Sequence, residues 1–345
     1  MAVATRTRGW RRTGSRKRFR YLDARGNPIG DPAKLERIES LRIPPAWRDV
    51  WIASNPRDRL QATGFDAAGR KQYLYHPEFR AAQEEAKFEK LVRFGERLPE
   101  LRLAMADDMS LDPLEREWVS AVAVRLINLG WFRVGSERYT IQHRTFGITT
   151  LRKGHASVRG STIAFRYRGK HRSRVRTAIV DAELAEAVRT LLRAPGDSRL
   201  FRYRNGENGD GRLVPLTGKR LNDYVQAHLG DDFTAKDFRT WGGTLIAAIA
   251  LAERGPVESA TERKRVVTAV MRRVGEQLAN TPAVARSSYV SPAVLEQYEE
   301  GVTIEDFRPR HLRVVGARDI ELDPEERCLL SLLRSWRMKR AREAA

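Results

Sequence analysis

The hydrophobic period changes twice along this chain, and this change limits the possible folds more than any other feature. Residues 147–180 hold three short segments rich in β-branched and aromatic residues, separated by turns at Gly160-Ser161 and Gly169-Lys170. This pattern predicts a three-stranded meander. On both sides the apolar residues recur at helical spacing, which predicts helices at 78–95, 113–129, 182–193, 218–228, 243–254, 258–279 and from 324 onward. The centre of the chain is therefore predicted to be a small sheet within a mainly helical domain.

Capping signals mark the ends of two of these elements. Asp112 with Glu115 three residues later is typical of a capping box at a helix start, and Gly130 is typical of a helix end. Thr281, which precedes a proline, predicts the start of a short helix that holds Tyr289 about two turns along it.

The N-terminal part of the chain has a different character. Residues 1–20 are predicted to be a basic, flexible arm, because like charges in a block repel one another. Residues 21–77 hold short, turn-rich, extended segments and are predicted to form a β-rich domain. Residues 78–345 are predicted to form the larger, mainly helical domain. The fold class is therefore α+β.

The charge balance indicates a polyanionic partner. The chain has 64 Lys and Arg against 44 Asp and Glu, a net charge of +20. Such an excess favours phosphate binding, since each contact releases condensed counterions. A basic ribosomal or membrane-surface protein has the same balance. Cys328 is the sole cysteine, which excludes a disulfide framework and a cysteine zinc site within one chain. Without an apolar run of about 18 residues or a signal peptide, a cytoplasmic protein is expected.

Several reaction classes lack their motifs here. The sequence has no Walker A loop, no H-E-x-x-H and no dinucleotide fingerprint after a strand. Breaking a phosphodiester without a metal instead needs fixed cations on the non-bridging oxygens, an in-line nucleophile and a proton donor for the leaving oxygen. Arginine suits the first task, because its planar fork donates two parallel hydrogen bonds and stays charged.

Four ordered segments match that requirement: FRVGSERY at 132–139, RYRGKH at 166–171, KDFRTWGG at 236–243 and NTPAVARSSY at 280–289. In this order and spacing they resemble type IB DNA topoisomerases, most closely the compact poxvirus-like and bacterial branch. GRKQYLY at 69–75 is similar to the DNA-clamp segment of that family. The resemblance covers nearly the whole chain and is weak only in the basic arm and the last helix.

The resemblance implies a role for each of five residues. Arg133 and Arg239 would clamp the scissile phosphate, Lys170 would be the general acid, and Tyr289 would be the nucleophile that forms a 3′-phosphotyrosyl bond. Asn280 stands where the better-known viral members have histidine. An amide donates a hydrogen bond but does not titrate near neutrality, so the sequence predicts cleavage without an imidazole-like step near about pH 6–7.

The same resemblance implies DNA contacts from five further residues: Arg70, Gln72, Tyr73, Tyr75 and Lys236. Tyr73 and Tyr75 could equally pack on one face of a strand, since residues two apart share a face. The implied enzyme relaxes supercoils as a monomer on double-stranded DNA, close to the nucleoid, and needs no metal, ATP or other cofactor.

Two other functions remain open at this point. A site-specific tyrosine recombinase has the same plan of Arg, Lys, Arg and Tyr, but usually has histidine where Lys236 stands. A non-catalytic basic DNA-binding protein would use the charge alone. Replacing Tyr289 by phenylalanine distinguishes an enzyme, which loses its activity, from a non-catalytic DNA-binding protein. Strand exchange between defined sites identifies a recombinase.

Overall fold

The computed structural model describes residues 9–15, 18–206, 211–308 and 320–343. The chain divides into two units, residues 1–87 and 88–345. Each unit has a hydrophobic core of its own.

The first unit is built on a five-stranded antiparallel sheet with the strand order β2-β1-β3-β4-β5. The strands are β1 (Trp10–Ser15), β2 (Arg18–Leu22), β3 (Arg48–Ile52), β4 (Leu60–Phe65) and β5 (Lys71–Tyr75). One helix, α1 (Pro32–Ser40), packs on the sheet, and Asp31 caps it by accepting a hydrogen bond from the amide of Ala33. The core of this unit consists of Trp10, Ile38, Val50, Ile52 and Ala62.

The prediction of a flexible arm over residues 1–20 is wrong for residues 10–15 and 18–20, which lie in β1 and β2. Residues 1–8, 16 and 17 lie outside the described residues. Trp10 is the reason for the difference, because its side chain is 7% exposed and belongs to the core. The basic side chains also have local partners: Arg12 donates to the carbonyl of Trp47 at 2.7 Å and lies over the ring of Phe19 at 4.2 Å.

The second unit is mainly helical, as predicted. The long helix α2 (Pro77–Asp108) begins in the first unit and continues into the second. The other helices are α3 (Arg116–Gly130), α4 (Glu137–His143), α5 (Ala182–Arg193), α6 (Gly218–Leu229), α7 (Asp237–Arg254), α8 (Ala260–Gln277), α9 (Pro282–Ser288), α10 (Pro292–Glu299) and α11 (Pro324–Glu343). Helix α7 is buried over most of its length, so it forms the centre of the core.

The three-stranded meander is present, but its first strand is not where the sequence placed it. Its strands are β6 (Ala156–Arg159), β7 (Thr162–Arg168) and β8 (Arg174–Val180), paired in the order β6-β7-β8. Residues 148–150, predicted as a strand, form a buried 3-10 turn. The hydroxyl of Thr150 closes this turn on the backbone of Gly147, and the hydroxyl of Thr149 donates to the carbonyl of Val134. A separate hairpin pairs β9 (Arg202–Arg204) with β10 (Leu213–Pro215).

Helix α3 starts later than its capping signal predicted. Residues 112–115 form a turn, and the helix begins at Arg116. Leu114 has a left-handed backbone (φ 73°), which interrupts the helix, and its side chain is 7% exposed. Burial of this leucine therefore outweighs the local capping signal. The predicted end at Gly130 is confirmed.

Candidate active site

Arg239 is the most deeply buried cation of the candidate site. It lies in the first turn of α7 and is 5% exposed. Its guanidinium donates to two carbonyl oxygens, that of Trp131 after α3 and that of Leu278 after α8, the latter at 2.7 Å. Burial and the charge of Arg133 both lower the pKa of Arg239 from its ordinary value. These contacts fix the direction of the guanidinium without neutralising its charge, because no carboxylate takes part in them.

Arg133 lies in the extended segment that follows α3. Its carbonyl accepts from the amide of Ile148 at 2.7 Å, so this segment runs beside the buried 3-10 turn. The two backbones meet at Gly135 and Gly147. A Cβ on Gly147 would lie 2.4 Å from the amide nitrogen of Gly135 and 2.5 Å from the carbonyl oxygen of Arg133. The glycines therefore permit the contact that orients Arg133.

Asn280 connects Arg133 to the segment that leads to Tyr289. Its Oδ1 accepts from the Arg133 guanidinium at 2.6 Å, and its Nδ2 donates to the carbonyl of Leu278 at 3.2 Å. The same guanidinium nitrogen also donates to the carbonyl of Ala279 at 3.2 Å. The amide of Asn280 thus orients one of the two candidate phosphate-binding arginines.

Tyr289 directly follows α9, so it lies one residue beyond the end of the short helix that was predicted to hold it. Thr281 caps this helix by accepting from the amide of Val284. The Arg239 guanidinium lies 4.9 Å from the centroid of the Tyr289 ring. The carbonyl of Tyr289 accepts from the hydroxyl of Thr244 at 3.1 Å, so α7 holds both the arginine and the tyrosine.

The surroundings of Tyr289 favour its ionised form. Burial raises the pKa of this phenol, but the charge of Arg239, a hydrogen bond from Arg239, and the charges of Arg133 and Lys236 together outweigh burial, so that the pKa is below its ordinary value of 10.0. A lowered pKa is what an attacking phenol needs near neutral pH.

The structure thus brings together four of the five residues that the sequence proposed for catalysis: Arg133, Arg239, Asn280 and Tyr289. The fifth, Lys170, is exposed in the turn between β7 and β8. Within the described parts of the chain, none of the hydrogen bonds of the four involves its side chain. Lys236, proposed as a DNA contact, is exposed at the start of α7, and its charge reaches Tyr289.

The four DNA-contact residues proposed in the first unit lie in or beside β5. Tyr73 and Tyr75 share one face of the strand, 46% and 39% exposed, with their rings stacked at 6.2 Å. Gln72 is directed to the other face, where it donates to Asp66 at 2.9 Å. Arg70 pairs with the same carboxylate at 2.7 Å. The exposed groups of this set are therefore the two tyrosine rings and the side chain of Arg70, which is exposed although it is paired with Asp66.

Sequence reasoning missed Tyr167, which lies on β7 close to the two arginines. Its ring stacks on Phe132 with centroids 6.2 Å apart. Burial raises the pKa of Tyr167 to about 12 despite the opposing charges of Arg239 and Arg133. The alternation along β7 could have placed Tyr167 on the inner face with Phe165, but its proximity to Arg239 depends on tertiary contacts.

A ladder of four arginines on the meander was also missed. Arg166 lies opposite Arg176, and Arg168 opposite Arg174, next to the turn that holds Lys170. All four are exposed, and none forms an ion pair with an acidic residue in the described part of the chain. Like charges directly opposite each other destabilise a sheet, so this arrangement favours an anionic partner on that face.

No group of three or more His, Cys, Asp or Glu side chains in the described ranges has an arrangement that could hold a metal ion. None of the described helices combines the length and the apolar character that crossing a membrane requires.

The chain is similar to DNA topoisomerases over most of its length. Residues 76–309 match the family described as eukaryotic DNA topoisomerase I, catalytic core, and residues 18–66 match bacterial DNA topoisomerase IB, N-terminal domain. DNA topoisomerase 1B of Acanthamoeba polyphaga mimivirus is 33% identical over 293 residues, which is 84% of this chain and 86% of the relative. DNA topoisomerase 1B of Vaccinia virus is 20% identical over 284 residues, 79% of this chain and 85% of the relative. Since the catalytic-core match alone spans more than half of the chain, this protein belongs to the type IB DNA topoisomerase family and is an isomerase that acts on DNA.

Proposed function

We propose that this topoisomerase relaxes supercoiled DNA by a transient single-strand break through Tyr289. The phenolate oxygen attacks the scissile phosphorus, a 3′-phosphotyrosyl bond forms, and the bond to the 5′ oxygen breaks. The free end rotates about the intact strand, and the 5′ hydroxyl then attacks the phosphotyrosine and restores the original bond. Because the tyrosyl ester retains the energy of the phosphodiester, religation needs neither ATP nor a metal.

The observation that carries this proposal is the position of Arg239 against the Tyr289 ring, together with Arg133, whose charge also lowers the pKa of Tyr289. In the proposed reaction the two guanidiniums stabilise the growing negative charge on the non-bridging oxygens. They are held by backbone carbonyls and by Asn280, so their orientation costs no reorganisation when the phosphate arrives.

Lys170 is the proposed general acid. It donates a proton to the departing 5′ oxygen and takes it back during religation. Its place in an exposed β-turn suits this task, because a turn can place a long cationic side chain in a DNA groove. The neighbouring arginine ladder would follow the phosphate backbone on the same side.

DNA binding by the first unit is part of the proposal. Tyr73 and Tyr75 offer two stacked, exposed rings to DNA, while Arg70 and Gln72 are tied to Asp66 and would support the strand. We propose that the enzyme acts as a monomer, since one tyrosine cuts one strand, and that it works on chromosomal DNA in the cytoplasm.

The decisive experiment incubates the purified protein with supercoiled plasmid in EDTA and without ATP, and traps the covalent complex with denaturant. We expect relaxation and a 3′-linked protein–DNA adduct from the wild-type protein. Tyr289→Phe should abolish both and leave DNA binding unchanged, because only the attacking oxygen is removed. Arg286→Gln, in the exposed part of α9, is the matched control and should retain relaxation.

Full relaxation by Tyr289→Phe would refute the assignment of the nucleophile. Binding without relaxation by the wild-type protein would favour a non-catalytic DNA-binding function. Exchange of strands between two defined duplex sites, in the absence of relaxation, would favour a recombinase.

A further inference from the structure

The last helix, α11, lies beyond the residues that match the topoisomerase catalytic core, and it contributes a buried carboxylate to the second unit. Glu326 is 4% exposed. Its two oxygens accept four hydrogen bonds: Oε1 from Arg102 at 2.8 Å and Trp241 at 3.1 Å, and Oε2 from Arg102 at 2.9 Å and the amide of Asp323 at 3.1 Å. Every acceptor position of the carboxylate is therefore used.

The bond to Trp241 connects this carboxylate with the helix that holds the candidate site. Trp241 lies two residues after Arg239 on α7, so the two side chains leave the helix about 200° apart. One face of the first turn of α7 meets Tyr289, and the opposite face meets Glu326. The position of the Arg239 guanidinium beside Tyr289 therefore depends on the contacts that hold the opposite face of α7.

The indole of Trp241 has little freedom to move. It is 2% exposed and lies against Phe94 of α2, with ring centroids 6.0 Å apart. Gly95 allows this approach, because a Cβ there would lie 2.5 Å from the ring. A charge-assisted network in a low-dielectric interior is strong and directional when all of its members are paired.

We infer that Glu326 is a positioning residue for catalysis, which acts through Trp241 to hold the first turn of α7 so that Arg239 stays against Tyr289. This inference rests on the proposed function of Arg239 and Tyr289. It assigns a part in the reaction to a helix that the catalytic-core match does not include.

A second ion pair joins α11 to α2, the helix that holds Arg102. It allows a test of whether Glu326 positions α7 or only docks α11. Glu96 of α2 pairs with Arg334 of α11 at 2.6 Å, but this pair is exposed and does not touch α7. If Glu326 only docked α11, then loss of either pair would change stability and leave the chemistry alone. If it positions α7, only the loss of Glu326 or of the indole N–H changes the cleavage rate.

The experiment measures the single-turnover rate of covalent complex formation at saturating DNA, together with DNA affinity and Tm, for Glu326→Gln and Trp241→Phe. Glu96→Gln is the matched control. We expect both test variants to lower the rate about tenfold with unchanged DNA affinity, as a small misplacement of a catalytic group does. The pH at which the rate rises should also increase, because Arg239 then lowers the pKa of Tyr289 less. Glu96→Gln should keep the wild-type rate and pH profile.

The double variants with Arg239→Ala complete the test. A residue that acts through Arg239 should have no further effect once Arg239 is gone. Equal losses in both backgrounds, or a lower Tm with a wild-type rate and pH profile, would overturn the inference. If Glu326→Gln fails to fold because Arg102 is left unpaired, Trp241→Phe decides the question, because Glu326 keeps both of its hydrogen bonds to Arg102 in that variant. Absence of covalent complex with the wild-type protein would instead refute the proposed function.

Discussion

Two tyrosines lie near the same pair of arginines, and their pKa values move in opposite directions. Burial raises the pKa of Tyr289, but the charge and hydrogen bond of Arg239, with the charges of Arg133 and Lys236, lower it by more. The pKa of Tyr167 is raised to about 12, because burial outweighs the charges of the two arginines. Tyr289 therefore loses its proton at a lower pH than Tyr167, which distinguishes the proposed nucleophile from its neighbour on electrostatic grounds.

This difference predicts the pH dependence of cleavage. The rate at saturating DNA should rise with pH as Tyr289 loses its proton, with an inflection below 10.0, the ordinary value for tyrosine. No step should occur near about pH 6–7, because Asn280 does not titrate. A pH profile of single-turnover cleavage checks this, and Asn280→His is the comparison that should introduce such a step. An imidazole-like inflection in the wild-type protein would contradict the prediction.

Tyr167 gives a second prediction, on stability. Its pKa is about 12 in the folded chain and about 10 when unfolded. Between these values the unfolded chain has lost the proton and the folded chain retains it, so the free energy of unfolding falls as pH rises, by at most about 1.4 kcal/mol per pH unit. Tyr167→Phe should flatten this alkaline decrease in urea unfolding measured between pH 8 and about 11. An unchanged slope would mean that Tyr167 ionises freely.

At the scale of single residues, the sequence was most informative about side chains that lie in the family-like segments. The positions of Arg133, Arg239, Asn280 and Tyr289 followed from ordered segments, and the structure brings these four together. Tyr167 and Thr244 could not be found in this way: Tyr167 lies in the segment 166–171 but was assigned no role there, and Thr244 follows the segment 236–243 without belonging to it. Their importance depends on contacts between β7, α7 and the segment after α9.

At the scale of elements, α7 and the Tyr289 segment touch at a glycine. A Cβ on Gly243 would lie 2.8 Å from both the Cβ and the carbonyl oxygen of Tyr289. Two consecutive glycines in a helix cost stability relative to alanine, so Gly242-Gly243 marks a close approach of two backbones. Gly242 serves the same purpose on the other side, where a Cβ would lie 2.2 Å from the indole nitrogen of Trp131.

Gly243→Ala should therefore displace Tyr289 from Arg239. We expect single-turnover cleavage to fall about 100-fold, the cost of a misplacement of about 1 Å, while DNA affinity is retained. Gly154→Ala is the matched control, because a Cβ at that position meets nothing within 4 Å. A wild-type rate for Gly243→Ala would mean that the two segments separate without cost to the reaction.

The arginine ladder on β7 and β8 gives a prediction about salt. Each phosphate contact adds about 0.9 to the steepness with which log affinity falls against log salt concentration. Replacing Arg166 and Arg176 together by serine should make this dependence shallower, in proportion to the number of phosphates that the two arginines neutralise. The sheet should become no less stable, because the two like charges face each other. Arg193→Ser, at the exposed end of α5, is a charge control. An unchanged salt dependence would exclude the ladder from the DNA interface.

The bounds of the long helices were predicted unevenly: α2 continues 13 residues past its predicted end at 95, and α7 begins six residues before its predicted start at 243. Helix α5 has the predicted bounds, and α6 and α8 differ from theirs by a residue or two. Short segments failed: residues 148–150 have a β-like composition, yet Thr149 and Thr150 use their hydroxyls to close a buried turn. A side chain that bonds to the local backbone competes with strand formation, and the sequence does not specify which of the two prevails.

At the scale of the whole molecule, both units are basic, but they differ in charge density. Residues 1–87 hold 19 Lys and Arg against 10 Asp and Glu, a net charge of +9. Residues 88–345 hold 45 against 34, a net charge of +11 over a chain segment three times as long. The first unit thus has the larger excess per residue, and none of the proposed catalytic side chains. Under the proposed function, this difference predicts that the first unit mainly binds DNA and that the second unit performs the chemistry.

The division can be measured with one variant from each unit. Tyr73→Ser with Tyr75→Ser removes the exposed stacked rings of β5 and should weaken DNA affinity, by about 1–3 kcal/mol for each base that stacks on one of them, while the cleavage rate at saturating DNA stays near that of the wild type. Arg239→Ala should do the reverse, because its guanidinium stabilises charge that develops only during the reaction. The Kd for a short duplex and the single-turnover rate at saturation separate the two effects. A lower saturated rate in the β5 variant would show that the first unit also orders the catalytic residues, and would remove the proposed division.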